Sequence, residues 1–411
     1  MPLFGVHRML NNSTRNLLAR TLASVTLAAT SMTLHAAPQA MMRSNPRVSE
    51  IRLEVNLYSV AATTVGGLST GRVAAFRMQN VEVAMPVMLR STWCDTDFDK
   101  VAVRSWIDGG EIKLDAAQVF KRNADSAEGV FAFNMHTERN GFAELRVQAT
   151  YLVQRWDVTV DEGAAAAVTW PRTWPAGTSR FLAKEPGIDP TNTDIMQCAE
   201  SASPGGSRAV TPFYAAKNAV IAILTRWKAM VGGSGDRNAD RSLRGISFSS
   251  GAFGLSVGRG SQLELAAACV AAVRSVQIPA RIVYGLSVDG KNGASSVINF
   301  RFICEFYLPT IGWVPFDPLE MRSQGAASRA GRGSIKGFAN VSDLSDVLPL
   351  GLQITPVGYE KADRFAIWGW RGVSAANVDS ENATTRIRLE TTSRGNGKTK
   401  SMPVPMIDPV P

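Results

Sequence analysis

Four short runs carry most of the fold information: GSQLELA at 260–266, RSVQIPARIVYG at 274–285, RFICEFYLP at 301–309 and GWVPFDP at 312–318. Small and apolar residues fill the stretch from Ser261 to Val276, a pattern that predicts a helix buried in a core. Pro279 ends that helix. Strand-like runs follow at 280–288, 297–308 and 313–316, so a central helix packed on an antiparallel sheet is predicted.

These four runs resemble the motifs of transglutaminase-like proteins, which share a papain-type fold. The family pattern is Gly-x-Cys-x-Asp/Glu-Phe-Ala, Arg-x-x-Gly-Ile-Pro-Ala-Arg-x-x-x-Gly, His-Ala-Trp-x-Glu-x-Tyr-x-Pro and Gly-Trp-x-x-Phe-Asp-Pro. Order and spacing agree along the chain. The resemblance implies a transglutaminase-like domain over residues 166–372 and an α+β fold.

The resemblance also implies where a catalytic triad would lie. The family Cys position falls on Gln262, its His position on Arg301 and its Asp position on Asp317. Gln is not a nucleophile, and Arg does not give up its proton at neutral pH. We therefore expect no active catalytic residue here, and we predict an ion pair between Arg301 and Asp317 with the Gln262 amide completing the network.

Two neighbouring residues are candidates for a replacement nucleophile. Ser261 lies one position early, and Cys269 lies two helical turns further on, but neither has a base beside it. Once residues 1–36 are removed, the one remaining histidine is His136, which lies in the other predicted domain. A surface or turn histidine is the expected role there.

The first half of the chain shows a different pattern. Period-two alternation, interrupted by Gly, Asn and Asp, predicts strands near 51–55, 81–89, 101–107, 130–135 and 145–153. We expect an Ig-like antiparallel β-sandwich over 50–165, without a long helix.

The first 36 residues are typical of a signal peptide. Three arginines without an acid precede the apolar run 22–34, which is too short to span a bilayer. Cleavage after Ala36 predicts an exported protein with a periplasmic, extracellular or cell-envelope location. No stable membrane insertion is expected after cleavage. Residues 37–49 are then predicted to form a linker. The formal net charge falls from +9 by three to +6. The loose basic cluster at Arg322, Arg329, Arg332 and Lys336 lacks interleaved aromatic residues, so nucleic acid is not an expected partner.

The rest of the chain carries local patterns of helix, loop and strand. A helix is predicted over 212–231, a loop from there to Gly260, and strands over 366–370 and 385–390. The segment 373–411 is predicted to hold one last strand and a disordered tail from Arg394. Cys94, Cys198, Cys269 and Cys304 form no CxxC pair, so no metal site is predicted, and no motif calls for a cofactor.

The sequence thus favours an exported, non-catalytic transglutaminase-like protein that acts as a binding or scaffolding module, with a protein or peptide in its cleft. A cysteine-dependent acyltransferase, amidase or peptidase of the same superfamily, using unrecognised residues, is the alternative.

Overall fold

A computed structural model describes residues 40–59, 81–112, 120–122, 128–135, 144–233, 235–238, 241–247, 249–288, 293–294, 298–325, 333–354, 369–372, 383–396 and 402–404. The predicted signal peptide and His136 lie outside these residues. The described part of the chain from Ala40 onward belongs to one compact unit.

The β-strands are numbered in chain order. They are β1 (Met41–Ser59), β2 (Val81–Met88), β3 (Cys94–Ile107), β4 (Gly110–Ile112), β5 (Phe120–Arg122), β6 (Glu128–Met135), β7 (Glu144–Val160), β8 (Ala229–Met230), β9 (Gly235–Arg237), β10 (Leu243–Ile246), β11 (Arg259–Gly260), β12 (Ala280–Ser287), β13 (Gly293–Ala294), β14 (Phe300–Leu308), β15 (Gly312–Phe316), β16 (Val347–Gly351), β17 (Gly369–Gly372), β18 (Ala383–Asn396) and β19 (Met402–Pro403).

The α-helices are likewise numbered in chain order. They are α1 (Glu162–Ala166), α2 (Ala176–Ser179), α3 (Thr193–Glu200), α4 (Pro212–Arg226), α5 (Gly251–Val257), α6 (Gln262–Ser275) and α7 (Pro318–Ser323). Short 3-10 turns lie at Arg180–Leu182, Ser207–Ala209 and Leu344–Asp346. No helix among the described residues combines the length and the apolar character that a bilayer crossing requires.

The central helix is the clearest confirmed prediction. α6 begins after Ser261 and ends at Ser275, and every residue from Leu265 to Arg274 is buried. It packs on the antiparallel sheet β15-β14-β12-β16, where the Cys304 thiol lies 3.9 Å from the Ala266 carbonyl oxygen. Each fully buried Leu or Val contributes about 1.5–3 kcal/mol, so this helix supplies much of the local core.

The first half of the chain forms strands in two sheets, and no helix occurs among its described residues between 50 and 161, as predicted. One sheet has the order β4-β3-β7-β1-β18-β10-β9, with β13 on β18 and β19 on β1; the other has the order β17-β2-β6-β5. β18 and β10 come from beyond residue 165, so the first sheet crosses the predicted domain boundary. The Ig-like topology stays a prediction.

Three boundaries and one loop predicted from the sequence are wrong. β1 begins at Met41, within the predicted linker, and β18 and β19 extend into the predicted disordered tail because both pair with β1. The predicted helix 212–231 ends at Arg226, where Trp227 turns to extended backbone. The predicted loop before Gly260 contains the helix α5, which was not predicted because its sequence is rich in Gly and Ser, both poor helix formers. The predicted strand over 366–370 is described only from Gly369, where β17 begins.

Candidate functional site

The N-terminus of α6 is built by a capping box. The Ser261 hydroxyl accepts a hydrogen bond from the Glu264 backbone N–H at 3.4 Å, and the Glu264 carboxylate accepts one from the Ser261 N–H at 2.7 Å. This reciprocal pair satisfies two of the free donors that every helix start leaves. Gln262 is therefore the first helical residue, one position after the predicted start at Ser261, and the Ser261 hydroxyl serves as a cap.

Asp317 performs a similar task for α7. Its Oδ1 accepts hydrogen bonds from the backbone N–H groups of Leu319 at 2.8 Å and Glu320 at 3.2 Å. Pro318 occupies the first helical position, where its missing N–H costs nothing. Asp317 is thus an N-cap, which gives this carboxylate a structural role of its own.

The predicted ion pair between Arg301 and Asp317 is confirmed. The Arg301 Nη2 donates to Asp317 Oδ2 at 2.8 Å, with 26% of the Arg301 side chain and 2% of the Asp317 side chain exposed. The Asp317 carboxylate consequently has three donors. Desolvation by burial raises its pKa above the usual value, while the Arg301 charge and the helix-start N–H groups partly oppose that rise.

Gln262 lies at the same end of the helix–sheet interface as Arg301. Ala266 contacts Cys304, and further along α6 the Arg274 Nε donates to the Ala280 carbonyl at 2.7 Å. Ala280 pairs with Phe306, so α6 runs along β14 with its N-terminus toward residue 301.

The predicted network through the Gln262 amide is wrong. The Gln262 Nε2 is buried without a hydrogen-bond partner among the described residues, and so is the Arg301 Nε. Arg301 reaches Asp317 through Nη2 alone, and the Gln262 amide nitrogen takes no part in the ion pair.

A second, fully buried ion pair was missed by the sequence reasoning. Glu305 lies opposite Arg281 in the β12–β14 ladder, and the Arg281 Nε donates to Glu305 Oε2 at 2.7 Å. The Thr92 hydroxyl, which comes from the segment before β3, donates to Glu305 Oε1 at 2.5 Å. The Arg281 guanidinium also stacks at 3.9 Å from the Trp313 ring centroid. Cross-strand registration could have revealed the Arg–Glu pair, but nothing local pointed to Thr92.

All four cysteines are described, free and buried. Burial raises the pKa of the Cys94 thiol to about 12 and also raises the pKa of Cys198, Cys269 and Cys304. A nucleophilic Cys needs a lowered pKa and access to solvent. None of these thiols has that environment. Among the described residues, no group of three His, Cys, Asp or Glu side chains is placed to hold a metal ion.

Two members of the predicted basic cluster are described, and both have partners. The Arg322 guanidinium donates to the Lys228 carbonyl at 2.7 Å, and the Lys336 ammonium lies 3.4 Å from Glu320. Arg329 and Arg332 lie outside the described residues.

Comparison with protein families finds a match, which lies in this helix–sheet core. Residues 250–318 match the model of the transglutaminase-like superfamily. This segment, which includes Gln262, Arg301 and Asp317, is therefore similar to the transglutaminase-like superfamily. No curated protein matches the chain.

Two solved structures resemble the chain. A candidate cysteine protease from Cytophaga hutchinsonii aligns over 88% of this chain and 95% of its own, with a TM-score of 0.52 and 14% identity. This similarity supports the fold. A candidate protease from Parabacteroides distasonis aligns over 56% of this chain and 59% of its own, with 8% identity and a TM-score of 0.22, which is too low to support an argument.

Proposed function

We propose that this chain is an exported transglutaminase-like protein that has lost the superfamily's thiol chemistry and acts as a binding or scaffolding module. The Arg301–Asp317 ion pair carries the proposal. In the superfamily's motif the Asp orients a His, whereas here its carboxylate is held by a guanidinium and two helix-start N–H groups. A guanidinium cannot act as the general base that a nucleophile needs.

Two further observations support the loss of chemistry. Gln262 stands at the helix start, where a Cys would gain thiolate character from the helix dipole. The Ser261 hydroxyl is buried in the capping box, with no histidine among the described residues to activate it. Export rests on the sequence of residues 1–36, with its arginines, short apolar run and small residues before the cleavage position.

Native thiol labelling tests the proposal most directly. The purified protein without residues 1–36 is treated with an alkyne-tagged chloroacetamide, alone and after unfolding in guanidinium. We expect labelling of the four cysteines only after unfolding, because their thiols are buried and their pKa values are raised. The same protein should form no product from a Gln-containing peptide and a primary amine, and should not hydrolyse that peptide.

A Gln262→Cys variant provides the matched control. A new thiol at the first residue of α6 should label in the folded protein, since the helix start favours the thiolate. Rapid native labelling of the unsubstituted protein, together with transamidation or hydrolysis that this labelling abolishes, would refute the proposal.

A further inference from the structure

The short helix α5 has an unusual distribution of side chains. Amphipathic helices bury their bulky apolar residues. Here glycines face inward: a Cβ on Gly251 would lie 2.3 Å from the Ala268 backbone nitrogen, and one on Gly254 would lie 2.4 Å from the Trp227 ring. Leu255 is buried with them, but Phe253 and Val257, one turn apart, face outward and are 56% and 46% exposed.

A third exposed apolar residue comes from the adjacent β8–β11 ladder. The Lys228 N–H donates to the Gly258 carbonyl at 2.7 Å, and the Val231 N–H donates to the Gly260 carbonyl at 2.9 Å. Val231 is 52% exposed. Gly258, which follows Val257, and Gly260, which precedes Ser261, thus both accept hydrogen bonds from the segment 228–231 that carries Val231. We call the surface formed by Val231, Phe253, Val257, Lys228 and Arg259 the ladder face.

The charged side chains that define the ladder face, Lys228 and Arg259, are both cationic. The neighbouring Glu264 carboxylate accepts hydrogen bonds from the Ser249 and Ser261 backbone N–H groups. The segments 225–233 and 249–260 contain Arg226, Lys228 and Arg259 and no acidic residue. All three cations are exposed, and none forms an ion pair with a described residue. Arg322 brings a further cation to this place through its bond to the Lys228 carbonyl. Clustered charges of one sign attract partners of the opposite sign and speed their association.

We infer that the ladder face binds a polypeptide segment in which acidic residues are interspersed with large apolar ones. This inference deepens the proposed binding function and rests on it. The apolar side chains match a partner's apolar residues, and the exposed cations match its carboxylates. β11 leads directly into Ser261 and Gln262, so the ladder face adjoins the start of α6 in the candidate site. This adjacency suits an extended peptide better than a flat lipid surface.

Fluorescence anisotropy with a short labelled peptide of alternating Glu and Leu tests the inference. We expect saturable binding that a peptide of alternating Lys and Leu does not show. Arg259→Glu and Phe253→Ser should each weaken binding by about tenfold or more, as expected for residues at the centre of an interface. The matched control is Arg172→Glu, an exposed arginine outside the ladder face, which should change the affinity by less than about twofold. Thermal unfolding of each variant verifies that it is folded.

Three results would overturn the inference. These are equal binding of the Glu and Lys peptides, equal loss in Arg259→Glu and Arg172→Glu, and no binding of the Glu peptide. If vesicles of phosphatidylglycerol and phosphatidylcholine sediment the protein and only Arg259→Glu and Phe253→Ser prevent it, a membrane occupies the face instead. None of these readouts depends on thiol turnover, so a failure here is distinguishable from a failure of the proposed loss of catalysis.

Discussion

Replacing Arg301 by Met should destabilise the fold, because it leaves the nearly inaccessible Asp317 carboxylate without its cation. Removing one partner of a buried ion pair costs about 3–5 kcal/mol. Asp317 keeps the hydrogen bonds from Leu319 and Glu320, and a quarter of the Arg301 side chain is exposed. We therefore expect a loss of roughly 3 kcal/mol in the free energy of unfolding for Arg301→Met at neutral pH.

The pH dependence of this loss has a definite sign. The folded-state pKa of Asp317 is raised by desolvation, so the folded state binds its proton more tightly than the unfolded chain does. Stability from this group therefore falls as pH rises between the unfolded pKa, near 3.9, and the raised folded pKa. Arg301 opposes the rise, so removing it pushes the pKa higher. The difference between the two proteins should shrink as the solution is acidified, because a protonated carboxyl needs no cation.

Urea unfolding followed by tryptophan fluorescence, at a series of pH values, measures both effects. Arg52→Met is the matched control, because Arg52 lies 2.7 Å from Glu390 but both side chains are more than 40% exposed. That exposed pair should be worth less than about 1 kcal/mol. A loss in Arg301→Met no greater than in the control, or one that does not change with pH, would show that the pair does not support the fold.

Two further changes probe the packing around the site. Glu305→Ala should cost about 3–5 kcal/mol in urea unfolding, because it leaves the Arg281 guanidinium buried without its carboxylate, and a cost below about 1 would contradict this account. Gly254→Ala should lower the free energy of unfolding by about 1–3 kcal/mol, because the added methyl group clashes with Trp227. Gly233 is exposed, so Gly233→Ala should change stability little. Equal melting temperatures for the two glycine variants would show that α5 is not closely packed.

The elements predicted best are those with local causes. The small apolar face and the stop at Pro279 predicted α6 from short-range sequence, and the structure adds the capping pair Ser261 and Glu264 at its start. The Arg301–Asp317 pair followed from the motif register and from the need of a buried carboxylate for a partner.

What the sequence did not reveal depends on distant contacts. α5 is rich in glycine, a poor helix former, and is held by close approach to α6 and Trp227. Thr92 reaches Glu305 across 213 positions. No local pattern encodes either contact. The missing hydrogen bond of Gln262 was also unpredictable, because strand and helix register do not fix a side-chain rotamer.

The pairing of β1 with β18 has a consequence for how the chain acquires its structure. β1 is 19 residues long and lies between β7 and β18, and its Arg52 bonds to Glu390 across 338 positions. One edge of this long strand therefore stays uncovered until β18 has been synthesised. Such non-local pairings form slowly, and an open strand edge is a template for association with other chains. Fragments that end before β18 should therefore self-associate, and this sheet should be completed only once β18 has been synthesised.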